Sequence, residues 1–104
     1  MGLRAVIHLL LHAAIPALLA LLLWRPQAVR AWMWMMAAFV IDLDHLLADP
    51  VYAPGRCSIG FHPLHTAPAM VAYVGLAAWP RTRWFGVGLV VHVLLDGLDC
   101  LLMR

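Results

Sequence analysis

Apolar residues fill four long runs of the chain, separated by short polar punctuation. The first run, 5–24, is free of charge and ends at Trp24-Arg25-Pro26. The second, 29–47, carries Ile41-Asp42-Leu43-Asp44-His45 near its end. A loop follows over 48–61, marked by Pro50, Pro54, Gly55 and Gly60. The third run, 65–79, starts at His65 or Thr66 as a helix cap, with Pro68 in the first turn. After the tight turn Arg81-Thr82-Arg83 the fourth run covers 84–103. A helix crossing a bilayer takes about 20 residues, and the third run is short for one. The pattern predicts an all-α integral membrane four-helix bundle, one domain over 1–104 with those four spans. The first run could pass for a secretory signal, with Arg4 ahead of it and Ala17-Leu18-Leu19-Ala20 as a cleavage site. Its apolar core is long for that role and holds His8 and His12, so a span is the better reading.

Composition agrees. Of 104 residues, 65% are hydrophobic and 12% charged, against roughly 45–50% and about 25% in soluble domains. Lys, Glu and Asn are absent; all seven cations are Arg and all five anions Asp. This excludes a disordered chain, a basic nucleic-acid binder and an ordinary soluble enzyme. If the spans alternate in direction, Trp24, Trp32, Trp34, Trp79 and Trp84 gather at one membrane face as an aromatic belt. Arg25, Arg30, Arg81 and Arg83 share that face, and Arg4, Arg56 and Arg104 take the other. Four against three leaves the orientation open. Cys57 and Cys100 form no CxxC, and both fall near the same end, where a disulfide or a tether is geometrically open.

The remaining polar residues converge on the face without tryptophan. His8 and His12 are spaced i, i+4; Asp42 and His45, i, i+3; His62 and His65, i, i+3; and His92, Asp96 and Asp99 form an i, i+4, i+7 stripe. Asp44 is about 200° out of phase with Asp42 on an α-helix, so it stands apart unless the helix end is distorted. Asp49, four residues after His45, is placed to orient it. An Asp at mid-bilayer costs about 2.5–3.5 kcal/mol on insertion scales. The one Arg inside a span, Arg30, opens the second run at the end opposite Asp42 and Asp44, and none lies beside Asp42, Asp44 or Asp96 to offset them. Metal is the neutralisation that uses His and Asp together, and the expected ligands are His8, His12, Asp42, His45, His62, His65, His92 and Asp96. So many donors suit two divalent transition-metal ions, or three, with an Asp bridging; zinc comes first, iron or manganese after it. Gly86, Gly88 and Gly97 are expected where helices approach closely.

Asp42-Leu43-Asp44-His45, Phe61-His62-Pro63-Leu64-His65-Thr66 and His92-Val93-Leu94-Leu95-Asp96, in that order, resemble a group of small bacterial membrane proteins regarded as metal-dependent hydrolases. A larger related group has an early His, a PDxDH segment, a HRxxTHS segment and a late HxxxD. It is held to be distantly similar to zinc-dependent phospholipase C and P1-type nucleases. The resemblance covers nearly the whole chain. It implies an α-helical metal hydrolase of the phosphoesterase type in the bacterial inner membrane. Ile41 stands where the larger group has Pro, and Pro63 and Leu64 replace its Arg and Gly.

The expected activity is hydrolysis of a membrane lipid at a phosphoester by a metal-activated water. Asp44 or Asp99 would serve as acid or base, and Arg56 and Arg4 would hold phosphate in place of the missing Arg. The expected partners are the bilayer and a lipid substrate, with no nucleic acid; assembly into a homo-oligomer is left open. Two rivals stand. A proton or metal transporter needs polar residues through the full depth, which the tryptophan half lacks. A structural or sensing metal site needs saturated coordination.

Overall fold

The computed structural model describes residues 3–47, 56–57, 59–60 and 62–102, apart from the side chains of Asp44 and His45. Among these residues the fold is all-α: α1 (Leu3–Leu23), α2 (Ala28–Met36), α3 (Ala67–Ala78) and α4 (Arg83–Leu102), with 3-10 segments at Ala37–Leu47 and Pro63–His65. α1 and α4 are long and apolar enough to cross a membrane, and α3 is shorter.

α4 is the central helix, in contact with α1, α2, α3 and the longer 3-10 segment. Its glycines make this possible. A Cβ on Gly86 would run into the backbone of Ala77, and one on Gly88 would lie 2.6 Å from Met35 Cα. Gly97 does not share that role, because a Cβ there would meet nothing within 4 Å. α1 leans on its neighbours by a narrow stripe, His12, Pro16 and Ala20, at a spacing of four residues. The rest of α1, and most of α3, shows large apolar side chains outward, among them Leu10, Leu22, Val71 and Val74.

Two contact sets fix the directions. Arg4 meets Asp99, and His8 meets Asp96; at the other end the rings of Trp24 and Trp84 lie 6.4 Å apart. α1 and α4 are therefore antiparallel. Ala20, Ala31 and Met35 form a small core at the tryptophan end, packed by Trp24, Trp32 and Trp84. The Trp32 indole N–H donates to the Ala13 carbonyl at 3.0 Å, beside the stretch where Pro16 leaves the His12 carbonyl without its helical donor. A second core, Ala38, Ile41, Tyr73, Leu89 and Val93, lies beneath the polar cluster.

The second run departs from expectation at its end. After nine α-helical residues the chain tightens into an eleven-residue 3-10 segment, long for that geometry. Burial there repeats every three residues: Met35, Ala38 and Ile41 inward, 37, 40, 43 and 46 outward, with Met36, Phe39 and Asp42 between. With three residues per turn, backbone position 45 eclipses Asp42, and position 44 follows Ile41. The 200° offset of Asp44 from Asp42 thus belongs to an α-helix that this stretch does not form.

Candidate metal centre

Asp96 stands at the middle of the polar cluster, in the second half of α4, and is 5% exposed. Its two oxygens face different helices. Oδ1 lies 2.9 Å from His8 Nε2 and 3.3 Å from His12 Nε2, both on α1. Oδ2 lies 2.9 Å from His65 Nε2, at the start of the third run, and 3.3 Å from His92 Nε2, one turn back on α4. Asp42 Oδ1 closes the second side, 3.0 Å from His92 Nε2 and 3.4 Å from His65 Nε2. Two groups result, one of His8, His12 and Asp96, the other of Asp42, His65, His92 and Asp96, with the donor atoms of each within 4.8 Å of one another. Both could hold a metal ion.

The donor chemistry fits one. A tetrahedral ion with ligands at about 2.0–2.1 Å sets its donors about 3.3–3.4 Å apart, near the separations found. His12 Nδ1 lies 2.8 Å from the His8 carbonyl. A carbonyl only accepts, so Nδ1 carries the proton, and Nε2 of the neutral ring turns a lone pair toward Asp96. Two lone pairs 3.3 Å apart require a cation between them, a second proton or a metal. Among the described residues Asp96 Oδ2 has no hydrogen-bond donor, although His65 Nε2 is 2.9 Å away. The approach is short but not directed along an N–H, as when two donors converge on a third atom.

Local structure holds His65 in place. Gly60 takes φ +79°, which favours glycine, and turns the chain back. Every carbonyl from His62 to His65 then accepts a hydrogen bond from within the protein. His62 O takes the His65 N–H at 2.9 Å and His65 O the Gly60 N–H at 3.1 Å. Pro63 O takes the Thr66 hydroxyl at 2.8 Å, and Leu64 O the Tyr73 hydroxyl at 2.7 Å. Thr66 is the N-cap residue of α3 with Pro68 in the first turn, but its hydroxyl serves Pro63 and not the helix amides.

The other expected residues fall around this centre. His62 is buried with its ring 5.8 Å from that of His65, and it belongs to neither donor group. Asp99 is paired with Arg4, Nε to Oδ1 at 3.3 Å. That pair borders a small crevice between α1 and α4, about 20 Å³, which His8 also lines. Arg56 is half-buried and adjoins Cys57, which is bonded to Cys100. The side chains of Asp44 and His45, and all of Asp49 and Arg104, lie outside the described residues. Phe39, not singled out by the sequence, packs between two of the histidines: its ring centroid is 5.4 Å from His12 and 5.3 Å from His92. The signal was its i, i+3 spacing from Asp42, visible only once the segment is known to be 3-10.

No curated protein and no solved structure matches the chain. A family model matches residues 2–103. The chain therefore belongs to DUF6122, a family of unknown function.

Proposed function

We propose that the chain is a membrane-embedded metal-dependent hydrolase acting on a phosphoester of a membrane lipid. The observation that carries it is the Asp96 carboxylate, which presents one oxygen to each of two separate histidine groups. A carboxylate so placed is suited to bridge two divalent ions, with zinc the first candidate for imidazole and carboxylate donors. Such a pair supplies hydrolysis with an activated water and a clamp for phosphoryl oxygens.

The two groups are unequal. Asp42, His65, His92 and Asp96 make four donors, enough to close a tetrahedral site. Among the described residues His8, His12 and Asp96 make three, which would leave a position for substrate or water, as in catalytic sites. His8 is the more exposed of that trio, with 22% of its side chain accessible, and it borders the crevice. We place the phosphoester there, with Arg4 leaving Asp99 to pair with phosphate and Asp99 then free to take or give a proton. Arg56, at the same end, is the second candidate for phosphate.

A four-span bundle in lipid is the setting we propose. The outward leucines and valines of α1 and α3 make a surface that water would not tolerate. The satisfied carbonyls of the 62–65 turn suit a backbone held away from water.

Elemental analysis and a phospholipid hydrolysis screen of the purified protein test the proposal together. About two transition-metal ions per chain are expected, with turnover that a strong chelator abolishes and added metal restores. Protein that neither carries nor takes up metal would overturn the metal centre. Proteoliposomes that accumulate ions while their lipids stay unchanged would replace the hydrolase with a transporter.

A further inference from the structure

We infer that the metal-binding end of the bundle faces an oxidising compartment and the tryptophan end the cytoplasm, so that the lipid substrate is drawn from the leaflet on the oxidising side. This rests on the membrane-spanning reading above and fixes the orientation that it leaves undecided.

The two cysteines of the chain are bonded to each other across 43 residues, with their Cα atoms 5.1 Å apart. That separation lies within the range a disulfide spans. Cys57 precedes the Gly60 turn that leads to His65, and Cys100 follows Asp99 in the last turn of α4. The bond therefore lies at the end of the molecule that holds the polar cluster. Cysteine pairs in a reducing cytoplasm are generally metal ligands or CxxC redox centres. Here the pair is in neither of the candidate metal groups and in no CxxC. A structural disulfide is the remaining role, and such bonds persist in oxidising compartments. Forming it removes two protons and two electrons from the two thiols. A disulfide-bearing thiol oxidase of that compartment accepts them and is reduced to its dithiol.

Arginine placement agrees from a different direction. Arg25 lies in the turn between α1 and α2 and Arg30 in the first turn of α2, while Arg81 lies in the turn between α3 and α4 and Arg83 opens α4, all four at the tryptophan end. Among the described residues the other end has Arg4 and Arg56. Basic residues in short loops favour the cytoplasmic side. Four against two among the described residues is a weak signal alone, but it has the sign that the disulfide requires.

The test uses the full chain expressed in a bacterial inner membrane. A carbonate wash first asks whether it is embedded; release into the wash would overturn the membrane reading itself, before sidedness is read. In embedded protein, alkylation without reductant should find no free thiols, and two should appear in a host lacking its periplasmic thiol oxidase. In the C57S variant, a membrane-impermeant maleimide should label Cys100 in cells whose outer membrane alone is permeabilised. In a chain combining R81C with C57S and C100S, the single thiol should be labelled only after the inner membrane is broken. If C57S does not accumulate, C100S leaves Cys57 for the same measurement. Reversed labelling overturns the inference, as does equal access to both thiols or to neither. None of these measurements needs metal or turnover, so a failed hydrolase assay leaves their reading intact.

Discussion

His12 commits one ring nitrogen to the His8 carbonyl and the other to Asp96, so the contact within its own helix keeps the proton on Nδ1 and aims Nε2 at the carboxylate. Removing it should empty one site and spare the other: His12→Ala is expected to lower bound metal from about two ions per chain to about one. Asp96→Asn should lower the content of both sites, because it alters the shared carboxylate. Elemental analysis after dialysis reads both, and an Asp96→Asn protein that keeps both ions would remove Asp96 from the centre. Arg4→Ala should leave metal content unchanged and raise KM for an anionic lipid, because Arg4 pairs with Asp99, a residue in neither donor group. The sequence made these residues legible as a set, through polar side chains at one depth in apolar runs. It did not distinguish Asp96 from Asp42, because which carboxylate lies between two histidine pairs is decided by how α1, α4 and the 63–65 turn come together.

The 63–65 turn and α3 are joined by the Tyr73 hydroxyl, which reaches nine residues back to Leu64 O. Tyr73→Phe removes that donor and leaves a carbonyl without it. Loss of about 1–3 kcal/mol of stability is expected, with weaker metal retention at the His65 side, as for other residues that support a ligand. Thermal unfolding in detergent and metal titration check the two effects separately. Glycines give a sharper contrast. Gly88→Ala places a methyl against the Met35 backbone, which cannot rotate away, so about 1–3 kcal/mol or more should be lost. Gly97→Ala meets open space and should be neutral or stabilise by up to about 1 kcal/mol through helix propensity. Equal melting shifts in the two variants would contradict the close α2–α4 approach. The four helices were legible from apolar runs bounded by Pro, Gly and Arg. The 3-10 segment was not, because Ala37–Leu47 contains neither Gly nor Pro and nothing local marks the tighter winding. Tertiary contacts of Ala38 and Ile41 with Leu89 and Val93 accompany it.

The bundle as a whole is polarised, with tryptophans and their small-residue core at one end and the histidine–aspartate cluster, with the disulfide, at the other. Trp24 and Trp84 should therefore be quenched together by a probe confined to one leaflet; quenching from opposite leaflets would contradict the antiparallel pairing of α1 and α4. Replacing both cysteines by serine should cost about 2–4 kcal/mol, the usual contribution of a bond closing a loop of tens of residues. That both cysteines lay near one end was legible in the sequence; that they are bonded was not, since pairing depends on the loop before His62. Asp96 has one consequence beyond geometry. If one carboxylate serves two ions, their binding is thermodynamically linked. Whatever factor the first ion imposes on the affinity of the second, the second imposes on the first. Occupancy then does not follow two independent isotherms, and His12→Ala should shift the affinity of the remaining four-donor site although His12 is not one of its members.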